Sequence, residues 1–307
     1  MTDRVAGLTG LLPQRQGSDR FQVRWLEQYT GEAAPATYPI DATKGQVIQW
    51  QMLGNGPDST LTVHNGQPVG DCFFAGWQHE KIIAITLGRL SEAVPTADDT
   101  VTLYLAYDQG QDNGVILADA LLWLYQQGHI LAFAPVQISR MDEVMSQTGR
   151  GLLLGVGLTD KDMGNFERTP PVVWSCGPSN PSNPSNGHCV LLVKKDAPQG
   201  NATIVTWGDV QEVDQLWEAA CVQEAWLALN AEDRQSMGEV AWAELVADLD
   251  ALPSAHGISV PTPGPVVPEP IPGLDPDDAL PQPHHPLPTN LLEWWAQVEA
   301  WVKRQLG

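Results

Sequence analysis

The hydrophobic periodicity of the chain changes from helical to strand-like near residue 130. Cys72 opens a helical pattern directly after Asp71, a residue type favoured at the N-cap, and a second helix is predicted over 115–127, ended by Gly128. Helical patterns are also predicted at 141–147, 217–229 and 237–249. Strand-like runs are predicted at 130–136, 151–158, 188–194 and 203–207, the last two as a hairpin. Helices that precede a run of antiparallel strands indicate an α+β fold.

The charge balance argues against polyanionic partners. The 307 residues carry a net charge of −21, with only 16 Lys and Arg, so the surface repels nucleic acid and anionic membranes. The sequence holds no run of about 18 apolar residues and no secretory leader pattern at its start. The four cysteines fit neither a CxxC metal pair nor a disulfide framework. We therefore predict synthesis in a reducing host cytoplasm, with no membrane or nucleic-acid partner.

Composition divides the chain into four parts. Residues 1–55 have scattered aromatic residues and weak periodicity, as in an extended arm, and 56–252 hold the periodic segments of a folded domain. Proline is so dense in 253–289 that an extended linker is predicted. Residues 290–307 form an amphipathic, Trp-rich helical pattern. Because tryptophan favours interfaces, the arm and this last helix are predicted to bind other proteins of an assembly.

Cys72 is the first candidate for chemistry. At a helix N-terminus, unpaired amides and the helix dipole stabilise a thiolate, which is the attacking form of cysteine. The upstream amides of Asn65 or Gln67 are candidates to stabilise an oxyanion. The alternative is a buried structural cysteine, which is a common core residue.

His188 is the second candidate, because it follows Gly187 at the start of a predicted strand. A histidine there is often structural. A cysteine on an early helix followed far downstream by a histidine on a strand hairpin is, however, the pairing of nucleophile and base found in cysteine hydrolases. A weaker hypothesis, zinc bound by His64, Cys72 and His79, lacks a fourth ligand. We therefore predict no metal and no cofactor.

Several short motifs in the order of this sequence support a family resemblance. They are Trp50-x-Met52, Gly70-Asp71-Cys72, Asp112-Asn113-Gly114, Gly187-His188 and Thr206-Trp207-Gly208. This order resembles the papain-like cysteine protease superfamily, and most closely the papain-like proteins of actinobacterial phages. The resemblance implies a papain-like cysteine-hydrolase fold, with an N-terminal helical part bearing the cysteine and an antiparallel β part bearing the histidine.

The sequence departs from the family at the residue that orients the histidine. Papain-like proteases use an asparagine just before the Trp-Gly pair, whereas this chain has Val205 and Thr206 there and Asp209 after it. Thr206 or Asp209 is left as a candidate to orient His188.

Two functions remain open at this stage. The first is a phage-type cysteine hydrolase that cleaves a peptide or isopeptide bond in a protein or in peptidoglycan. The second is a catalytically degenerate papain-like domain that serves as a structural or binding part of a virion capsid or tail, since fold alone does not fix function. If the chain belongs to a virion, as the resemblance implies, the N-terminal arm and the 290–307 helix are predicted to bind virion proteins.

Overall fold

A computed structural model describes residues 23–31, 34–54, 68–166 and 171–256. All described residues belong to one compact unit. The terminal helix predicted over 290–307, and most of the linker before it, lie outside the described residues.

The described helices and strands are mixed along the chain. The helices are α1 Leu26–Thr30, α2 Cys72–Thr86, α3 Ala97–Tyr107, α4 Leu117–Gln126, α5 Met141–Thr148, α6 Asp160–Asn165, α7 Gln215–Cys221, α8 Ala231–Met237 and α9 Glu239–His256. The strands are β1 Ile40–Asp41, β2 Ala132–Pro135, β3 Leu152–Thr159, β4 Ser182–Lys195, β5 Ala202–Thr206, β6 Asp209–Val213 and β7 Val222–Leu229. A single 3₁₀ turn, Ile138–Arg140, precedes α5.

The strands of the described residues form one antiparallel sheet in the order β2-β7-β3-β4-β5-β6, with β1 pairing at the end of β4. The helix α2 packs against β4, β3 and β5. Because Phe73, Phe74 and Ile83 are completely buried, α2 is enclosed on several sides rather than lying on the surface. Burial of each such side chain stabilises the fold by about 1.5–3 kcal/mol. The contact between α2 and β4 brings the predicted nucleophile and base to one interface.

The sequence predicted most of these elements, and one of its helices is wrong. The segment predicted as a helix over 217–229 is helical only to Cys221, and Val222–Leu229 is the strand β7. This strand pairs with β2 on one side and β3 on the other, so sheet hydrogen bonding outweighs the helical propensity of its Glu, Ala and Leu residues. The helix predicted over 237–249 is α9, which begins at Glu239 because Gly238 at φ +81° separates it from α8.

One boundary also differs, and α3 is among the elements that were not predicted. The last helix α9 continues to His256, so the first four residues of the predicted linker are helical. The helix α3 was not predicted, although Thr96 and Asp99 form a capping box at its start.

The described part of the N-terminal arm is integrated into the domain. Val23, Leu26 and Leu53 are buried members of the hydrophobic core. Arg24 forms ion pairs with Glu244 and Asp248 of α9. Residues 23–31 and 34–54 therefore pack with the domain that the sequence assigned to 56–252. Within the described ranges, every helix falls short of the length and apolar character that a membrane span requires.

Candidate active site

Cys72 is the first residue of α2, and its side chain is buried with 2% exposure. Asp71 occupies the N-cap position, as predicted, and its carbonyl accepts a hydrogen bond from the amide of Ala75. The Asp71 carboxylate makes no capping hydrogen bond to the helix. The thiol thus lies in the first turn of a 15-residue helix, where the positive end of the helix dipole favours a thiolate.

His188 lies on β4, where it pairs with Val156 of β3, and it is also 2% exposed. Its Nε2 atom is 2.8 Å from the hydroxyl oxygen of Thr206, the last residue of β5. The Nδ1 atom is buried, and no hydrogen bond to it comes from the residues that the structure describes. One imidazole nitrogen is therefore held by Thr206, and the other has no hydrogen-bond partner among the described residues.

Trp207 stacks on the His188 ring, with centroids 4.8 Å apart and planes 26° from parallel. The ring of Phe166 contacts Trp207 edge-on at a centroid distance of 4.8 Å. Trp207 and Gly208 have φ of +48° and +80°, and they join β5 to β6 as a two-residue hairpin turn of the kind that needs positive φ. A bulky residue with positive φ is uncommon. Here this conformation coincides with the placement of the Trp207 ring against the histidine.

Cys72 and His188 line the same small pocket. The helix α2 contributes residues at positions i, i+3, i+4 and i+7, which form one helical face. The lining is Leu53, Gly54, Cys72, Ala75, Gly76, His79, His188, Cys189, Val205, Thr206, Trp207 and Gly208. The nucleophile and base that the sequence predicted are thus brought to one cavity from opposite parts of the fold.

Burial controls the protonation of the groups in this pocket. Desolvation lowers the pKa of His188 to about 3, so the imidazole is neutral at neutral pH. Burial, together with the nearby Cys72 and Glu224, raises the pKa of the Cys189 thiol well above its usual value, so that thiol stays protonated. Of the two neighbouring groups on β4, the imidazole is the one able to accept a proton.

The other predicted site residues fall in different places. Asp209 is exposed on β6 and is not among the residues that line the pocket, and its carboxylate accepts a hydrogen bond from the amide of Val210. Of the two residues left open for orienting His188, the contact is made by Thr206. Asn65 and Gln67 lie outside the described residues.

His79 is a pocket residue whose role the sequence did not indicate. It was noticed only as a weak metal ligand, although its spacing of seven residues from Cys72 places both on one face of α2. Its Nε2 atom is 2.9 Å from the carbonyl oxygen of Gln51. Within the described part of the chain, no three His, Cys, Asp or Glu side chains are grouped so that they could hold a metal ion.

Comparison with known proteins reveals a structural likeness. No family model matches the chain, and no curated protein matches it. The crystal structure of xylellain, a cysteine protease from Xylella fastidiosa, is similar with a TM-score of 0.51 and 12% identity, over 73% of this chain and 97% of that chain. The fold, with its mixed helices and antiparallel sheet, resembles that of papain-like cysteine proteases. The proform of Amb a 11, a cysteine protease and major ragweed pollen allergen, has a TM-score of 0.45 and 11% identity, over 66% of this chain and 68% of that chain.

Proposed function

We propose that this chain is a cysteine hydrolase that cleaves a peptide or isopeptide bond, with Cys72 as nucleophile and His188 as general base. One observation carries the proposal. The two side chains line one pocket, and Thr206 holds Nε2 of His188 while Nδ1 has no partner among the described residues. A cysteine and a histidine that served only to fill the core would not require a shared pocket or an imidazole held through Nε2 alone.

The geometry supports a defined sequence of proton transfers. When Nε2 carries the proton and donates to the Thr206 hydroxyl, Nδ1 holds the lone pair that accepts the thiol proton. The Cys72 sulfur then attacks the carbonyl carbon, and the C–N bond breaks as the imidazolium gives its proton to the leaving amine. Water then hydrolyses the thioester, which releases the acid product and restores the thiol. Stacking on Trp207 keeps the ring oriented throughout. In this role Thr206 replaces the asparagine of papain-like proteases.

Stabilisation of the oxyanion is assigned to the backbone amide of Cys72 together with the side-chain amide of Asn65 or Gln67. The amide of Cys72 is at the start of α2, where the backbone N–H groups point out of the end of the helix. The substrate class that we propose is a protein or a peptidoglycan cross-link. The phage-type assignment rests on the order of the sequence motifs alone.

A second candidate function is a structural or binding role in a virion, with the pocket inactive. The burial of Cys72 and His188 favours it, because each side chain is only 2% exposed and a substrate must reach the sulfur. The two candidates differ in one measurable property, which is cleavage that depends on the Cys72 thiol.

Replacing Cys72 with alanine is expected to reduce hydrolysis by at least about a thousandfold, because the attacking atom is lost. The assay measures new amino termini after incubation with a denatured protein mixture and, separately, with purified peptidoglycan. Cys176→Ala is the matched control, since Cys176 is another buried free thiol that does not line the pocket. This control should cleave at the wild-type rate. Equal cleavage by wild type and the Cys72 variant, or no cleavage of either substrate by wild type, would favour the structural role.

A further inference from the structure

One side of the pocket is formed by a short segment that precedes α2. We call residues 50–54, Trp50-Gln51-Met52-Leu53-Gly54, the wall segment. Leu53 and Gly54 are buried and line the pocket. Since Cys72 and His188 are almost inaccessible behind the lining, a polypeptide substrate reaches the sulfur only after part of that lining moves.

The backbone of the wall segment lies against the groups that build the site. A methyl group on Gly54 would lie 1.8 Å from a carboxylate oxygen of Asp71, the residue before the nucleophile. A methyl group on Gly208 would lie 2.5 Å from the backbone nitrogen of Met52. Both glycines have positive φ, +81° and +80°. The wall segment is thus fitted closely between the start of α2 and the turn that carries Trp207.

A directional contact to the wall segment comes from His79. Its Nε2 atom is 2.9 Å from the Gln51 carbonyl oxygen, and because a carbonyl only accepts hydrogen bonds, Nε2 is the donor. The Trp50 ring meets the imidazole edge-on, with centroids 5.7 Å apart. His79 lies two helical turns after Cys72 on the same face of α2. The hydrogen bond therefore ties the wall segment to the helix that bears the nucleophile.

We propose that His79 is a positioning residue that holds the wall segment closed over Cys72, and that release of its hydrogen bond to Gln51 opens the nucleophile to substrate. The purpose of this opening rests on the proposed function, whereas the opening itself is a property of the fold. The proposed closed and open states differ by the hydrogen bond from His79 to Gln51 and by two close contacts, that of Gly54 with the Asp71 side chain and that of Gly208 with the Met52 backbone. Loss of the hydrogen bond shifts the population toward the open state.

The chemistry of His79 indicates which substitutions are informative. Burial lowers the pKa of this imidazole to about 4, so at pH 7 it acts as a neutral donor. A glutamine amide is also a neutral donor and extends about as far as Nε2, so His79→Gln retains the bond. His79→Leu removes it and keeps an apolar side chain of similar bulk. His79→Asn keeps the amide but is one methylene shorter.

The test measures the rate at which iodoacetamide alkylates Cys72 at pH 7, with the modified peptide identified by mass spectrometry. We expect His79→Leu to react about tenfold faster than wild type, and His79→Gln to stay within about twofold of it. If the leucine variant does not fold, His79→Asn takes its place in the comparison with His79→Gln. Equal rates for wild type, His79→Gln and the variant that lacks the bond would overturn the proposal.

Hydrogen exchange separates opening of the wall segment from general loss of stability. In the leucine variant, amides of residues 48–54 should lose protection while those of β3 keep theirs. Equal loss in both regions would show a merely structural role and would overturn the proposal. Adding His188→Ala to each variant tests the proposed function separately. If that change leaves all alkylation rates unaltered while the leucine variant stays about tenfold faster than its parent, the hydrolase assignment fails and the closing role of His79 stands.

Discussion

Replacing Arg150 with methionine is expected to lower the free energy of unfolding at pH 7.5 by about 3–5 kcal/mol. The guanidinium is 1% exposed, with Nε 2.6 Å from a Glu80 oxygen and Nη1 3.0 Å from an Asp233 oxygen. These contacts tie the start of β3 to α2 and α8. Without the arginine, two buried carboxylates lose their compensating charge.

The dependence of this effect on pH has a defined sign. Burial raises the pKa of Glu80, and the charge and hydrogen bond of Arg150 oppose this increase. Without Arg150, the pKa of Glu80 rises further, and the carboxylate takes up a proton more readily. The loss of stability relative to wild type should therefore become smaller as the pH falls from 7.5 to 5. Urea denaturation at both pH values measures the effect. Arg24→Met is the matched control, since the ion pairs of Arg24 are exposed and their loss should cost no more than about 1 kcal/mol. Equal losses for the two variants would contradict the assignment of a buried ionic network.

Gly208→Ala is expected to destabilise the domain by about 2–5 kcal/mol. A positive φ costs a non-glycine residue about 1–2 kcal/mol, and the new methyl group would lie 2.5 Å from the backbone nitrogen of Met52. A side chain could relieve this overlap by changing rotamer, but the backbone of Met52 can do so only by shifting. We expect this shift to add about 1–3 kcal/mol to the loss of stability.

Gly88→Ala provides the matched control for Gly208. Gly88 also has a positive φ, +68°, but a methyl group there would have no other atom within 4 Å. Thermal and urea unfolding of the two alanine variants should therefore differ by the cost of the overlap alone. If the free energy of unfolding fell by similar amounts in the two variants, the wall segment would shift to accommodate the methyl group at no measurable cost. The close fit of Gly208 against Met52 would then contribute nothing to stability.

The sequence predicted the parts of the fold that depend on local patterns. The helix that starts at Cys72 was predicted from Asp71 and from helical periodicity, and the β4–β5 hairpin from two apolar runs around a polar loop. The strand Val222–Leu229 could not be predicted in this way. Its residues favour a helix. They form a strand because the segment lies between β2 and β3 and pairs with both.

The site was predictable only in its nucleophile–base pairing. Thr206 was one of two residues left open for orienting His188. The sequence does not show where β5 ends, and the position of that end makes Thr206 contact the ring while Asp209 is exposed. The wall segment was not predictable, because residues 50–54 have no periodicity and their contact with His79 joins distant parts of the sequence.

The most direct test of the central claim is the rate of Cys72 alkylation as a function of pH, with and without His188. Burial lowers the pKa of His188, and a Cys72 thiolate beside the ring would raise it again by stabilising the imidazolium. Transfer of the thiol proton within the pair takes up and releases no proton, so the thiolate fraction does not depend on pH between pH 5 and 7. The wild-type rate should then change by less than about threefold over this interval, and at pH 6 should exceed that of His188→Ala by about a hundredfold. The rate of the variant should fall about tenfold per pH unit, as for an unassisted thiol. Identical profiles, both falling tenfold per unit, would contradict the pairing of Cys72 with His188.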